Sequence, residues 1–437
     1  MGARDTALSA LIACRRQAAW SDGILKDYIA RDRLDKRDAA LCTRLCYGVQ
    51  QNRMLLDHYL DNLLVANNRK LQPIVRDILR LGLYQILFTD KIPESAAVNE
   101  AVNQAWKYAN KSAAGLVNGV LRHAARVKDD LELPSSLSLR YSCPQDLLDL
   151  LTAYCGEDEI EDILKANNSA PEMVVQINTL RTDVQEVTAS LEAQDVTVRP
   201  HAWMENCLIL SGTGRLEHLE AYQKGWIYVQ DAASRLCVKL AGIPQTAESR
   251  VLDCCAAPGG KSFAAYLEMK GLGKVRSADI HRHKTTLIEL GAQRMGFDHI
   301  MVREQDATLT HPSWRNKMDV VLADVPCSGY GIIRKKPDIR YKSPDDMKRL
   351  PEVQLKILCK QAEYVKPGGI LMYSTCTLVR RENEGVVEKF LRSHPQYELV
   401  PLDLPEVFPK NETGMLKLLP GKYDTDGFFI AKLRRKE

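Results

Sequence analysis

Two cysteines in this chain stand where a thiol could do chemistry. Residues 318–323 form a short apolar run that delivers Asp324-Val325-Pro326-Cys327, and residues 369–374 form another that delivers Thr375-Cys376-Thr377. Read as neighbouring strands of one sheet, these runs bring two thiols and a carboxylate to adjoining strand ends. Cysteine is strongly nucleophilic for its basicity, and a local fall in pKa raises its thiolate fraction at neutral pH, so the grouping suits covalent catalysis. A free cysteine is more commonly a small core residue, and the strand-end placement is what separates these two from that fate. Residue chemistry alone does not choose between Cys327 and Cys376 as the nucleophile.

A third stretch offers a ligand cradle. Val251-Leu252-Asp253-Cys254-Cys255-Ala256-Ala257-Pro258-Gly259-Gly260-Lys261-Ser262 reads as a buried strand, a tight glycine turn and a helix start near Lys261. Glycines let backbone approach a ligand, and a helix N-terminus presents free N–H groups, which suits a nucleotide or nucleoside. Neither the dinucleotide spacing nor a P-loop is present. A second strand, residues 275–278, ends in Asp279, about twenty residues past the turn, where open α/β sheets place the acid that binds ribose hydroxyls. A third, residues 299–303, runs into Glu304-Gln305-Asp306 beside the same crevice.

These motifs need a parallel sheet to hold them, and residues 246–437 alternate strand and helix in the required way. Ser343-Pro344-Asp345-Asp346 reads as the start of a helix that reaches Val365 and stops at Pro367-Gly368-Gly369, residues 381–393 as another helix, and Asp426-Gly427-Phe428-Phe429-Ile430-Ala431-Lys432-Leu433 as a last strand. Residues 1–128 read as all-helical, over 6–16, 21–30, 36–64, 72–88, 96–107 and 115–125, with apolar residues at helical spacing. Residues 129–245 begin with a polar connector carrying helices at 144–153 and 157–167. A small β-α-β layer follows, with strands at 173–178, 196–199, 207–210 and 226–229, and Asp231 capping a helix over 232–241.

At 437 residues the chain is long enough for two or three domains. Its 45% hydrophobic and 27% charged residues are ordinary globular usage, and no apolar run is long enough to span a bilayer. No signal peptide is read before Arg15-Arg16, and Gly2 with Thr6 fits the myristoylation pattern only formally. Twelve cysteines without secretory features read as reduced thiols of a cytoplasmic protein, and a monomer is expected. No Cys/His tetrad suggests a metal; Cys42 and Cys46, one helical turn apart, are expected in the core, and His281 and His283 at the surface. Charge is uneven: residues 1–128 hold 20 Lys/Arg against 12 Asp/Glu, or +8, which leaves −4 for the remainder of the +4 total. A basic first domain suits binding to a polyanion such as RNA.

Taken in order, the segment Asp253 to Lys261, Asp324-Val325-Pro326-Cys327-Ser328-Gly329 and Tyr373-Ser374-Thr375-Cys376-Thr377 resemble the cofactor, Pro-Cys and Thr-Cys motifs of S-adenosylmethionine-dependent RNA cytosine-C5 methyltransferases. The likeness covers essentially the whole chain and is strongest to the RsmB (Fmu/Sun) family. Asp38-Ala39-Ala40-Leu41, Leu79-Arg80-Leu81-Gly82-Leu83-Tyr84-Gln85 and Val117-Asn118-Gly119-Val120-Leu121-Arg122 resemble the NusB-type helical RNA-binding domain. Tyr228-Val229-Gln230-Asp231-Ala232-Ala233-Ser234 is similar to the segment that closes the RNA-recognition-like subdomain. The resemblance implies a multidomain fold: an all-α NusB-like domain over 1–128, a small α+β middle region over 129–245, and a Rossmann-like α/β methyltransferase domain over 246–437.

It also implies roles. Carbon 5 of cytosine is too weak a nucleophile to take a methyl group until addition at carbon 6 makes the ring an enamine. The family attacks with the Thr-Cys thiol, which makes Cys376 the nucleophile, Cys327 the group assisting product release, and Asp324 the contact to ring N3. Cys255, Ala256, Ala257, Pro258, Gly259, Gly260 and Lys261 would surround the methionine end of the cofactor, with Asp279 on the ribose and Asp306 on the adenine amino group. Cys254 and Val325 are small apolar departures from the family's usual residues. Independently of the resemblance, the four cations Arg334, Lys335, Lys336 and Arg340, just past the Pro-Cys motif, are expected to contact phosphate. The expected substrate is small-subunit ribosomal RNA, with transfer RNA, or a non-catalytic RNA-binding assembly or antitermination role, as alternatives.

Overall fold

The computed structural model describes residues 1–17, 21–64 and 71–437. It divides into two compact units, residues 1–169 with 333–344, and residues 170–332 with 345–437.

The first unit is helical: α1 (Ala3–Gln17), α2 (Ser21–Arg31), α3 (Lys36–Gln51), α4 (Arg53–Leu63), α5 (Pro73–Phe88), α6 (Glu94–Tyr108), α7 (Lys111–Val127), α8 (Leu137–Arg140), α9 (Gln145–Cys155) and α10 (Glu157–Asn168). The apolar faces of α1 to α7 meet in one core containing Leu8, Leu45, Leu56, Ile78, Leu79 and Leu121, and Cys42 and Cys46 are buried in it as expected. Gly48 gives α3 room to cross α5, because a Cβ there would run into the Tyr84 ring. Residues 36–64, expected as one helix, are two. Asn52 leaves helical geometry at φ −114° and ψ 16°, and its side chain turns back to donate to the Gly48 carbonyl.

The segment 333–344 corrects a second expectation, because two of the four cations expected on phosphate are buried rather than offered to it. Arg340 is only 2% exposed and Arg334 only 7%. The Arg340 guanidinium donates through Nη1 to the carbonyls of Gln51 (2.9 Å) and Tyr141 (3.0 Å) and to Oδ1 of Asn168 (2.8 Å), and through Nη2 to the carbonyl of Asn167 (3.2 Å). These acceptors lie at the C-terminal ends of α3, α8 and α10. Helix C-termini leave carbonyls unpaired and carry partial negative charge, and one planar fork of donors satisfies three of them together.

The second unit holds two sheets. Strands β1 (Met173–Ile177), β2 (Thr197–Pro200), β3 (Cys207–Ser211) and β4 (Ile227–Val229) form an antiparallel sheet in the order β2-β3-β1-β4, covered by α11 (Val184–Glu192) and α12 (Glu220–Gln223). Arg294 pins this sheet, donating to the carbonyls of Tyr222 (2.6 Å) and Ile227 (3.0 Å). Helix α13 (Ala232–Leu240) follows, and Asp231 caps it as expected, accepting from the Ala233 amide at 3.0 Å.

The larger sheet contains β5 (Arg250–Asp253), β6 (Lys274–Asp279), β7 (Ile300–Glu304), β8 (Met318–Asp324), β9 (Val365–Thr375), β10 (Tyr397–Leu399), β11 (Met415–Leu418) and β12 (Phe428–Arg435), with α14 (Gly260–Glu268), α15 (Arg282–Met295), α16 (Leu350–Ala362) and α17 (Glu384–Ser393) between them. The order is β10-β12-β9-β8-β5-β6-β7, with β11 also paired to β12; β9 to β7 are parallel and β12 is antiparallel to β9. The helix expected to start at Ser343 begins instead at Leu350, with Pro351 in its first turn, after a short 3-10 turn at Pro344–Met347. Pro367-Gly368-Gly369 lies inside β9. Met318 pairs with Val365 but Val320 pairs with Ile370, and this bulge takes up the residues that lack a regular partner.

Candidate active site

The chain leaves β5 for β6 and β7 on one side and later returns to β8 and β9 on the other, so the carboxyl ends of β5 and β8 flank the switch point of the sheet, where crevices form. Asp253 ends β5 and Asp324 ends β8. Between Asp253 and α14 the chain turns sharply through Gly259 at φ +114°, where a Cβ would meet the Phe263 ring at 2.6 Å. The turn delivers Lys261 in the first turn of α14. Its Nζ donates to Oδ2 of Asp324 (2.7 Å) and Oγ of Ser234 (3.0 Å), while Oγ of Ser374 donates to Oδ1 of Asp324 (2.7 Å). Burial works to lower the Lys261 pKa, but the charge and hydrogen bond of Asp324, with the charges of Cys237 and Asp253, together outweigh it, and the ammonium is held above its ordinary value.

A cavity of about 210 Å³ opens here. Its wall includes Cys255, Ala256, Ala257, Pro258, Gly260, Lys261 and Asp324 from the sequence reading, together with Asp253, Val229, Gln230, Asp231 and Ser234, which that reading did not assign to the site. Gly259 shapes the turn behind the wall. Asp279 and Asp306 are not part of it. Asp279 is 7% exposed and ties the loop to β6, accepting from the amides of Ala257 (3.3 Å) and His281 (3.1 Å); Asp306 accepts from the Thr308 amide at 2.8 Å.

Two polar atoms in the cavity wall are left over. Oδ1 of Asp253 and Nε2 of Gln230 are buried without a hydrogen-bond partner among the described residues. The other Asp253 oxygen accepts from Ser262 (2.8 Å), and burial pushes the Asp253 carboxyl up to about 7. A carboxylate oxygen and an amide donor on one cavity suit a ligand with both a cationic and an anionic group.

The two thiols meet nearby. Sγ of Cys327 lies 3.3 Å from Sγ of Cys376. The loops that carry them are tied together: Ser328 Oγ lies 2.6 Å from Thr377 Oγ1, and the Gly331 amide donates to the Cys376 carbonyl (2.9 Å). Glu382, fully buried, accepts from the Ser328 amide and from Gln354 Nε2, each at 2.9 Å, and Asn383 bonds Thr375 (2.6 Å) and the Thr377 carbonyl (3.0 Å). The Cys327 thiol is held well above its ordinary pKa, first by its hydrogen bond to Cys376, then by burial and by the charges of Glu382 and Asp324. Cys327 therefore keeps its proton beside the Cys376 sulfur.

Residues 241–434 match the family described as 16S rRNA methyltransferase RsmB/F, residues 1–126 the NusB family, and residues 143–217 the ferredoxin-like domain of RsmF/B-like methyltransferases. The chain is 38% identical to a Bacillus subtilis protein named probable ribosomal RNA small subunit methyltransferase B, over 99% of this chain and 98% of that one. The chain belongs to the RsmB/F family of ribosomal RNA methyltransferases. A Synechocystis protein of the same name is 34% identical over the full length of both, and the solved structure of PH0851 superposes with a TM-score of 0.80 at 26% identity, covering 98% of each chain.

Members of this family depend on S-adenosylmethionine, and the residues present fit its amino-acid end: the unpaired Asp253 oxygen suits an ammonium, and the Gln230 amide suits a carboxylate. The missed residues were legible in part. Gln230-Asp231 and Ser234 stand in a segment quoted for its family likeness, but the likeness alone does not say that it borders the cavity. Among the described residues no group of three or more His, Cys, Asp or Glu is arranged to hold a metal ion, and no helix is long and apolar enough to cross a membrane.

Proposed function

We propose that this chain transfers a methyl group from S-adenosylmethionine to carbon 5 of one cytosine in small-subunit ribosomal RNA through a covalent bond between Cys376 and carbon 6. The observation that carries the reading is the meeting of two thiols, 3.3 Å apart, at strand ends next to an Asp324 carboxylate held by Lys261 and Ser374. The substrate class rests on the names of the relatives and on the match of residues 1–126 to the NusB family.

The cofactor would supply an electrophilic methyl group: Asp253 and Gln230 would hold its amino-acid end in the cavity against the loop Cys255 to Lys261, and Asp279 and Asp306, outside the cavity wall, would take its ribose and adenine amino group where it extends beyond. The target base leaves its stack to reach the thiol. Cys376 adds as the thiolate to carbon 6, and the electron pair displaced from the carbon 5–carbon 6 bond makes carbon 5 nucleophilic. Asp324 shares a proton with ring N3, and the Lys261 ammonium beside it stabilises the charge that addition develops. Once carbon 5 is methylated, a base removes its proton, the carbon 6–sulfur bond breaks, and the electron pair returns to Cys376. Cys327, holding its proton, hydrogen-bonds the departing sulfur.

The test is to incubate the full chain with labelled S-adenosylmethionine and unmethylated small-subunit ribosomal RNA, then map 5-methylcytosine by bisulfite sequencing. One newly protected cytosine supports the reading; no transfer, or transfer to transfer RNA alone, overturns it.

A further inference from the structure

The helical unit contains a second cavity, of about 270 Å³, walled by α1, α3, α4, α5 and the segment 333–344. At roughly 30 Å³ per water it has room for a phosphate group and its attached sugar. Four of its lining side chains are cationic (Arg15, Arg53, Arg80 and Lys342) and two are anionic (Asp77 and Asp338), for a net +2. The cations are not equivalent. Arg15 and Arg80 both bind Asp77, at 3.0 and 2.9 Å, and Arg80 also binds Asp57 at 2.7 Å. Arg53 stacks its guanidinium 3.4 Å from the centroid of the Tyr341 ring but forms no hydrogen bond or salt bridge among the described residues. Its N–H donors thus meet no protein acceptor among the described residues, although the charges of Asp57 and Asp77 lie close enough to act on it. Gln50, 7% exposed, adds a second unpaired group to the same wall, its buried Oε1, which can accept from a hydroxyl or an amino group.

We infer that this cavity is a phosphate site of the helical unit, in which Arg53 grips one backbone phosphate of the RNA and Gln50 accepts from the attached nucleoside. The choice of RNA as the source of the phosphate rests on the proposed function; a free nucleotide carries the same chemistry. Arginine suits the task because its planar fork matches phosphate oxygens two at a time, and stacking on Tyr341 fixes the plane of that fork beforehand.

The test uses the full chain without S-adenosylmethionine, so it stands apart from any failure of methyl transfer. Binding of a fluorescein-labelled single-stranded RNA is measured across a salt series for the wild type, Arg53→Gln and Arg53→Lys, and inorganic phosphate and 5′-AMP are titrated into the wild type by calorimetry. The expected result is a loss of roughly tenfold or more in RNA affinity for Arg53→Gln, with the slope of log K against log salt reduced by about 0.7, as for one phosphate of a single strand. Arg53→Lys should retain the slope and lose part of the affinity. Unchanged RNA binding with saturable 5′-AMP binding that Arg53→Gln abolishes would keep the phosphate site and assign it to a free nucleotide, overturning the RNA source. Unchanged RNA affinity and slope with no phosphate or 5′-AMP binding would overturn the site altogether. Should Arg53→Gln fail to fold, Arg53→Lys and the wild-type titrations decide.

Discussion

Lys261 and Asp324 join the cofactor loop to the Pro-Cys motif: one begins α14, the other ends β8, and Nζ meets Oδ2 at 2.7 Å with the lysine 8% and the aspartate side chain 31% exposed. The contact makes Lys261 more than a lining residue of the cavity. Among the described residues it is the cation ion-paired to Asp324, the carboxylate proposed to face the substrate base.

Lys261→Met should therefore lower the single-turnover methylation rate by about a hundredfold or more, in line with losing one preorganised electrostatic group. It should also destabilise the fold by on the order of 2–4 kcal/mol, below the full range for a buried pair because Asp324 is partly solvated. Lys261→Arg should recover stability better than rate. A Lys261→Met enzyme with near wild-type single-turnover rate would remove Lys261 from the chemistry.

Asp253 gives the site a pH signature. Its carboxyl rises from 3.8 to about 7 on folding, so between those values the folded chain holds a proton that the unfolded chain has released. Stability contributed this way is complete below about pH 4 and is lost as pH rises through 7. Asp253→Asn cannot titrate. The difference in unfolding free energy between pH 5 and pH 8 should be more favourable to pH 5 in the wild type than in Asp253→Asn, by roughly 1–3 kcal/mol. Parallel pH profiles for the two proteins, measured by urea unfolding, would count against a protonated Asp253.

Arg340 carries a prediction about the helical unit. Arg340→Met leaves the carbonyls of Gln51, Tyr141 and Asn167 and the Asn168 side chain without their donor, which should cost about 3–5 kcal/mol. Arg340→Lys should recover little, since a point ammonium cannot span acceptors on three helices. Hydrogen exchange should quicken at the C-terminal turns of α3, α8 and α10, and protection left intact there would contradict the capping role.

The sequence made the strand ends legible because each reactive residue follows a short apolar run, and a strand's carboxyl end fixes where its next residue emerges. That sufficed to place Asp324, Cys327 and Cys376 at neighbouring strand ends, while the division of roles between the two thiols came only from the family resemblance. Arg340 was misread for the opposite reason: a cation beside three others looks like a phosphate patch, and its carbonyl acceptors lie up to 289 positions away in the chain. The break at Asn52 was hidden because the residues around it keep helical apolar spacing through two helices that share a core. The part played by Gln230 and Ser234 depends on a small sheet packing beside the larger one, which local pattern does not encode.

Cys327→Ala should separate the thiols. If Cys327 assists release, the variant should accumulate protein covalently joined to unmodified substrate RNA, visible as a slow band on a denaturing gel, while overall turnover falls by about a hundredfold. Loss of activity with no such band would remove the release role.

The most direct test of the account is trapping on 5-fluorocytosine RNA, whose carbon 5 fluorine cannot leave as a proton once the ring is methylated. Wild-type protein with S-adenosylmethionine should form a stable covalent complex, and Cys376→Ala should form none while still folding and binding RNA. Trapping that persists in Cys376→Ala, or that moves with Cys327→Ala instead, would contradict the assignment of Cys376 as the nucleophile.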